Sequence, residues 1–83
     1  MSNKIDQYEI NGFVNDFGRL VKQLRTETRH KQETLSDSIG ISTRQLSDIE
    51  NGKATCRIDT LYKICNAFGL SLADFFLLLK QLD

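Results

Sequence analysis

Proline and tryptophan are missing from this sequence of 83 residues, and histidine and methionine appear once each. Glycine is scarce, with five residues, while Leu, Ile, Lys, Gln and Asp recur between turn-like interruptions. That pattern favours short helices. The single histidine, His30, and the two cysteines, Cys56 and Cys65, make no metal-ligand spacing, so neither a metal site nor a cofactor is expected. The cysteines read as small, partly buried thiols of a reducing compartment rather than as a redox switch at Cys56. No apolar stretch reaches the ~18 residues of a membrane span, and the polar start lacks the apolar core of a signal peptide. A cytoplasmic location without membrane contact is therefore expected. A phosphate-cradling glycine loop and a nucleophile paired with a base are also missing, which argues against an enzyme.

Net charge is absent as well, with eleven basic and eleven acidic residues. Taken alone this disfavours nucleic acid, because attraction to phosphate rests on Lys and Arg. The distribution says otherwise. Between Arg19 and Lys63 stand nine basic residues against six acidic ones, whereas the ends carry two basic and five acidic. A mildly basic centre lies between acidic ends, so any DNA affinity must come from a well-fitted site. Apolar residues make up 40% and charged residues 27%, ordinary for one small globular domain with one core.

Residues 1–12 commit to little: Ile5, Tyr8 and Ile10 are apolar but hold no period, and an arm, a short strand or a helical extension all fit. Phe13, Phe17, Leu20, Val21 and Leu24 line one face of a first helix, with Asn11 as its cap and an end near residues 28–30. Gly12 and Gly18 weaken its first turns. A short second helix runs from Gln32 to Ser38, with Leu35 and Ile39 inward and Gly40 ending it. Ile41 plugs the turn. Ser42 then caps a third helix, and Gln45 completes a capping box. Asn51 and Gly52 end it. A fourth helix carries Ile58, Leu61, Tyr62, Ile64, Cys65 and Phe68 and stops at Gly69. Ser71 and Asp74 open a fifth. The reading is an all-α domain of five helices over 13–83.

The informative segment runs from Gln32 to Gly52. Leu35, Ile39, Ile41, Leu46 and Ile49 lock two short helices at a steep angle around one glycine. Thr43, Arg44, Ser47 and Asp48 are left on the outer face of the third helix, whose width suits the major groove of B-DNA. Ser42 to Asn51 is thereby the candidate recognition helix.

This segment resembles the helix-turn-helix of the phage repressor and Cro-type (xenobiotic-response-element-like) family of bacterial regulators. The matching features are the Gln that opens the second helix, the turn glycine, Ile-Glu-Asn-Gly at Ile49 to Gly52, Asp-Thr-Leu-Tyr-Lys-Ile in the fourth helix, and Ala-Phe-Gly-Leu-Ser-Leu at Ala67 to Leu72. Together they cover about Phe17 to Phe76. The resemblance implies sequence-specific binding of double-stranded DNA by a transcriptional regulator. It places Thr43, Arg44, Ser47 and Asp48 at base edges, with Arg44 suited to guanine O6 and N7. Asp48 either accepts from a cytosine amino group or holds Arg44 across one helical turn. Gln32, Lys31, Ser42, Asn51, Lys53 and Arg57 fall at the DNA backbone. Arg25 and Glu50 occupy the positions of an internal ion pair.

Several departures from the family pattern stand out. Arg29, His30 and Lys31 replace a common Gly-Leu-Thr before Gln32, removing a flexible helix end and a capping hydroxyl. His30 reads as a pH sensor or, more plainly, as an imidazole in an apolar residue's place. Ser36 stands where a small Ala is usual. Thr55, Cys56 and Arg57 replace a common Pro-Ser start to the fourth helix, and Arg57 is either a DNA contact or a solvated charge. The last helix is more apolar than one core face requires, which points to a homodimer through Phe75, Leu78, Leu79 and Leu82 unless Phe13 and Tyr8 cover the surplus. Such a dimer sets two recognition helices ~34 Å apart on a two-fold operator. An antitoxin-like module, which neutralises a protein partner and binds DNA secondarily, is the competing reading.

Overall fold

The computed structural model describes residue 4 and residues 6–82, and among them the only regular elements are five helices. They are α1 (Gln7–Glu27), α2 (Gln32–Ile39), α3 (Thr43–Glu50), α4 (Ile58–Ala67) and α5 (Leu72–Lys80). Residues 1–3 and 5, and with them the reading of Ile5, lie outside the described residues.

The first helix starts earlier than its apolar period suggests. Asp6 is the cap, its carboxylate accepting from the Tyr8 backbone N–H at 3.1 Å. Asn11 is therefore inside α1 rather than at its start, and its side-chain oxygen accepts from Gln7 Nε2 at 3.0 Å. Tyr8 lies on this extension 85% exposed and covers nothing on the last helix.

One closure recurs at the ends of α1 to α4. A backbone N–H just past each helix returns to the carbonyl five residues back: His30 to Arg25, Ile41 to Ser36, Lys53 to Asp48 and Leu70 to Cys65, at 2.8–3.0 Å. It requires a left-handed residue between. Gly40, Gly52 and Gly69 supply it at three of the four ends, with φ between 71° and 78°. At the first end Arg29 takes φ 61° although it is not glycine. His30 follows with its ring half-buried, 6.5 Å from that of Phe68 and with Nδ1 2.9 Å from the Thr28 hydroxyl, so it occupies an apolar residue's place.

The core gathers Phe17, Leu20 and Val21 of α1, Leu35 and Ile39 of α2, Leu46 and Ile49 of α3, Leu61, Ile64 and Cys65 of α4, and Phe75 of α5. Phe75 has no exposed surface and meets the Phe17 ring edge-on at 5.5 Å. This corrects its assignment to a dimer interface: it is the keystone that α5 inserts. Leu78, Leu79 and Leu82 are half-buried against the same core. The large apolar residues of α5 that face outward are Phe76 and Leu77.

Where α1 crosses the end of α3 the two backbones touch. A Cβ on Gly18 would strike the Ile49 carbonyl and lie 3.0 Å from that of Glu50. Gly18 thus weakens a helix in order to let another approach. Beside it lies the buried ion pair. The Glu50 side chain, 1% exposed, accepts from Arg25 Nε at 2.6 Å and Nη2 at 3.0 Å. A third donor, Gln32 Nε2, reaches it at 2.9 Å from α2. Arg25 Nη1 also holds the His30 carbonyl at 2.9 Å, tying the α1–α2 connection to the same group.

Two substitutions test this frame. Glu50→Gln strands the Arg25 charge among buried groups and should cost about 3 kcal/mol in urea unfolding, more than replacing Arg25 and Glu50 together by apolar residues of similar size. Arg29→Gly relieves a left-handed side-chain-bearing residue and should stabilise by about 0.5–1 kcal/mol, the gain being reduced by the extra freedom of glycine in the unfolded chain. A melting temperature that falls in this second variant would mean that the arginine side chain contributes more than its backbone strain removes.

Candidate nucleic-acid interface

An eight-residue helix is marginal by itself, so the surface that α3 offers depends on how its ends and inner face are held. Its start is closed reciprocally: Ser42 Oγ accepts from the Gln45 backbone N–H at 3.0 Å, and Gln45 Oε1 accepts from the Ser42 N–H at 2.9 Å. Leu46, Ile49 and Glu50 are buried beneath it. Thr43, Arg44 and Gln45 are exposed, whereas Ser47 and Asp48 are half-buried and so less open than the outer-face reading proposed. Hollows flank the helix on both sides. One of about 520 Å³ lies toward α2 between Glu33, Ser36, Asp37 and Thr43. The other, about 440 Å³, lies toward the α3–α4 connection between Gln45, Asp48, Thr55 and Arg57. α3 is a ridge between two grooves.

The structure sorts the sequence-derived candidates by what their side chains already do. Among the described residues no ion pair joins Arg44 to Asp48, and neither side chain makes a hydrogen bond within the chain. Thr43 Oγ1 lies 3.2 Å from the buried Ser36 Oγ. Asn51 caps the far end of α3 and donates to Ser47 Oγ at 3.3 Å. Lys53 is exposed just beyond the Gly52 turn. Arg57 caps α4 without a side-chain cap bond and forms a surface pair with Asp59 at 3.2 Å, both side chains largely exposed. Such a pair contributes little and exchanges readily for another anion.

Gln32 needs revision. Its amide was assigned to phosphate, but one of its N–H bonds points inward at Glu50. What remains for an anion is its second amide proton and the backbone N–H groups of the first turn of α2, whose cap, Lys31, makes no side-chain hydrogen bond. Lys31 itself is exposed there. Gln32 therefore couples the outer surface to the buried ion pair. The sequence also carries no sign of the Ser36 contact, only that Ser36 stands where a small Ala is usual. Both omissions have one cause: the partner stands on a different helix.

Of the two cysteines, Cys56 lines the hollow toward the α3–α4 connection and Cys65 is buried in the core. Burial pushes the Cys56 thiol above its ordinary pKa, with the Asp59 carboxylate adding to the effect. Burial does the same to Cys65, with Cys56 adding to it. Both shifts disfavour the thiolate, the reactive form.

Comparison with known proteins agrees with this geometry. A family model described as helix-turn-helix matches residues 21–75. The chain is similar to the HTH-type transcriptional regulator YgzD of Bacillus subtilis, with 33% identity over 61 residues that cover 74% of this chain and 92% of that protein. Its fold is similar to that of the clp gene regulator ClgR from Corynebacterium glutamicum, with a TM-score of 0.78 at 22% identity over 83% of this chain and 73% of that one. It is also similar to that of C.Esp1396I bound to a 25 base pair operator site, with a TM-score of 0.74 at 23% identity over 83% and 91% of the two chains. The chain belongs to the helix-turn-helix family of DNA-binding transcriptional regulators.

Proposed function

We propose that the chain acts in the cytoplasm as a homodimeric repressor that reads a two-fold operator by laying α3 in the major groove. The observation that carries this reading is the outer edge of α3, where Arg44 and Asp48 are unpaired on a ridge whose inner face is anchored by a buried ion pair. An arginine fork left free in this way matches guanine O6 and N7, and a carboxylate left free accepts from a cytosine amino group. Of the two roles open to Asp48, the missing Arg44–Asp48 bond favours direct readout over bracing. Thr43 and Ser47 complete the base-facing set. Lys31, Ser42, Asn51, Lys53, Arg57 and the start of α2 at Gln32 take the phosphates on either side. The operator-bound C.Esp1396I structure supports this use of the fold.

Phe75 drops out of the dimer surface first assigned because it is in the core, whereas Leu78, Leu79 and Leu82 are only half-buried and border further exposed apolar groups. Phe13, Ile58 and Phe76 line one apolar recess of about 160 Å³, and they are 50%, 67% and 42% exposed. Tyr62, one turn after Ile58, is 64% exposed. Large apolar groups left open on so small a domain favour a second copy as their cover.

Selection of bound duplexes from a random pool at two salt concentrations tests the reading directly. A two-fold motif with salt-sensitive affinity is expected; a folded protein that enriches no motif would sink it. Arg44→Ala should lose about 1–3 kcal/mol of discrimination at one base pair, whereas Lys31→Ala should weaken all sequences alike and reduce the salt slope by about one. Ile58→Glu places an acid in the first turn of α4, where the helix end favours it. Sedimentation should then find monomers, with operator affinity lost and helicity kept. A dimer that survives this change would exclude the recess as its interface.

A further inference from the structure

The hydroxyl of Thr43 is not free to choose its role. Ser36, 2% exposed on the inner side of α2, places its Oγ 3.0 Å from the Glu33 carbonyl and 3.2 Å from Thr43 Oγ1. A hydroxyl has one proton and two lone pairs. The Glu33 carbonyl can only accept, so that contact takes the Ser36 proton. The Ser36–Thr43 contact must then use the proton of Thr43, with the Ser36 lone pair receiving it. The opposite assignment leaves a buried hydroxyl facing a carbonyl with no proton between them. This is the more costly arrangement inside a protein.

We propose that Ser36 is a positioning residue for base readout: it holds the Thr43 hydroxyl as an acceptor only and fixes the rotamer that presents it. Thr43 is the first residue of α3 and is exposed, so what it offers outward is lone pairs without a proton. In the major groove, adenine N6 and cytosine N4 donate, whereas guanine O6 and thymine O4 accept. Thr43 therefore selects adenine or cytosine on the strand it faces and disfavours guanine or thymine there. An unconstrained threonine donates or accepts by rotating and tells these apart poorly. The inference rests on the reading of α3 as the base-contacting helix.

The test compares full-length wild type, Ser36→Ala, Thr43→Val and the double variant by operator selection and competition binding, with thermal unfolding as a control. Wild type should show adenine or cytosine at one position of each half-site. Ser36→Ala, which keeps a good helix former in place, should reduce that preference by roughly threefold to tenfold, the worth of one hydrogen bond. It should leave the position read by Arg44 unchanged. In the Thr43→Val background the same Ser36 change should have no further effect on base preference, which a merely structural role would not produce. A Ser36→Ala profile identical to wild type, with Thr43→Val altered, would overturn the inference and leave Thr43 as a base reader. Equal loss of affinity for every sequence in Ser36→Ala would overturn it in favour of a packing role. A Thr43→Val profile identical to wild type would remove Thr43 from the base-facing set, and the inference with it.

Discussion

A carboxylate taken out of water must be met by donors, and Glu50 imposes that condition on three helices at once. Its side chain accepts from Arg25 on α1 and from Gln32 on α2 while belonging to α3. Apolar packing alone is non-directional and lets a short helix rotate among nearly equivalent arrangements. A buried charge with three hydrogen bonds does not, because each small rotation unmakes a bond whose loss is felt in full. The Gly18 contact adds a steric stop at the same place, where the backbones of α1 and α3 meet. The direction in which α3 faces is thus set by a polar requirement inside the domain, and the groups it presents outward inherit that direction.

The helix ends show how the remainder is divided between order and exposure. The capping box at Ser42 and the closure at Gly52 satisfy both ends of α3 from within. The starts of α2 and α4 have no such arrangement: Lys31 and Arg57 sit at their caps and make no side-chain cap bond. Both sites combine open N–H groups with a positive side chain, a combination that weakens an isolated helix and suits an anion. The domain is internally complete where it must read and incomplete where a phosphate can complete it.

Much of this was legible in the sequence because it is local. The glycine at position 40, the Ser42–Gln45 box and the alternation of Leu35, Ile39, Leu46 and Ile49 with polar neighbours carry their own geometry. The Arg25–Glu50 pair lies 25 residues apart, and it was reached through family resemblance rather than through spacing. Gln32 on Glu50 and Ser36 on Thr43 were not reached at all, since a side chain's partner across a helix crossing leaves no periodic trace. The early start of α1 was hidden by its lack of an apolar period, although Asp6 is an ordinary cap. Phe75 was misplaced for the opposite reason: from Phe75 to Leu79 every residue is apolar, so no polar face sets the phase of the helix.

Charge explains why such stiffness matters here. The basic centre read from the sequence shrinks in three dimensions: Arg25 is engaged by the buried Glu50, and Arg19 pairs with Asp16. The centre's excess of basic over acidic residues is small, nine against six, and affinity that grows with each neutralised phosphate is correspondingly small on arbitrary DNA. A protein of zero net charge has little non-specific attraction to add to or subtract from its operator affinity, so the difference between right and wrong sequences rests on base-edge contacts. Those contacts reward only groups that are already in place, because any ordering they undergo on binding is deducted from their worth. The weak field of this chain and the rigid seating of its third helix are therefore two sides of one design.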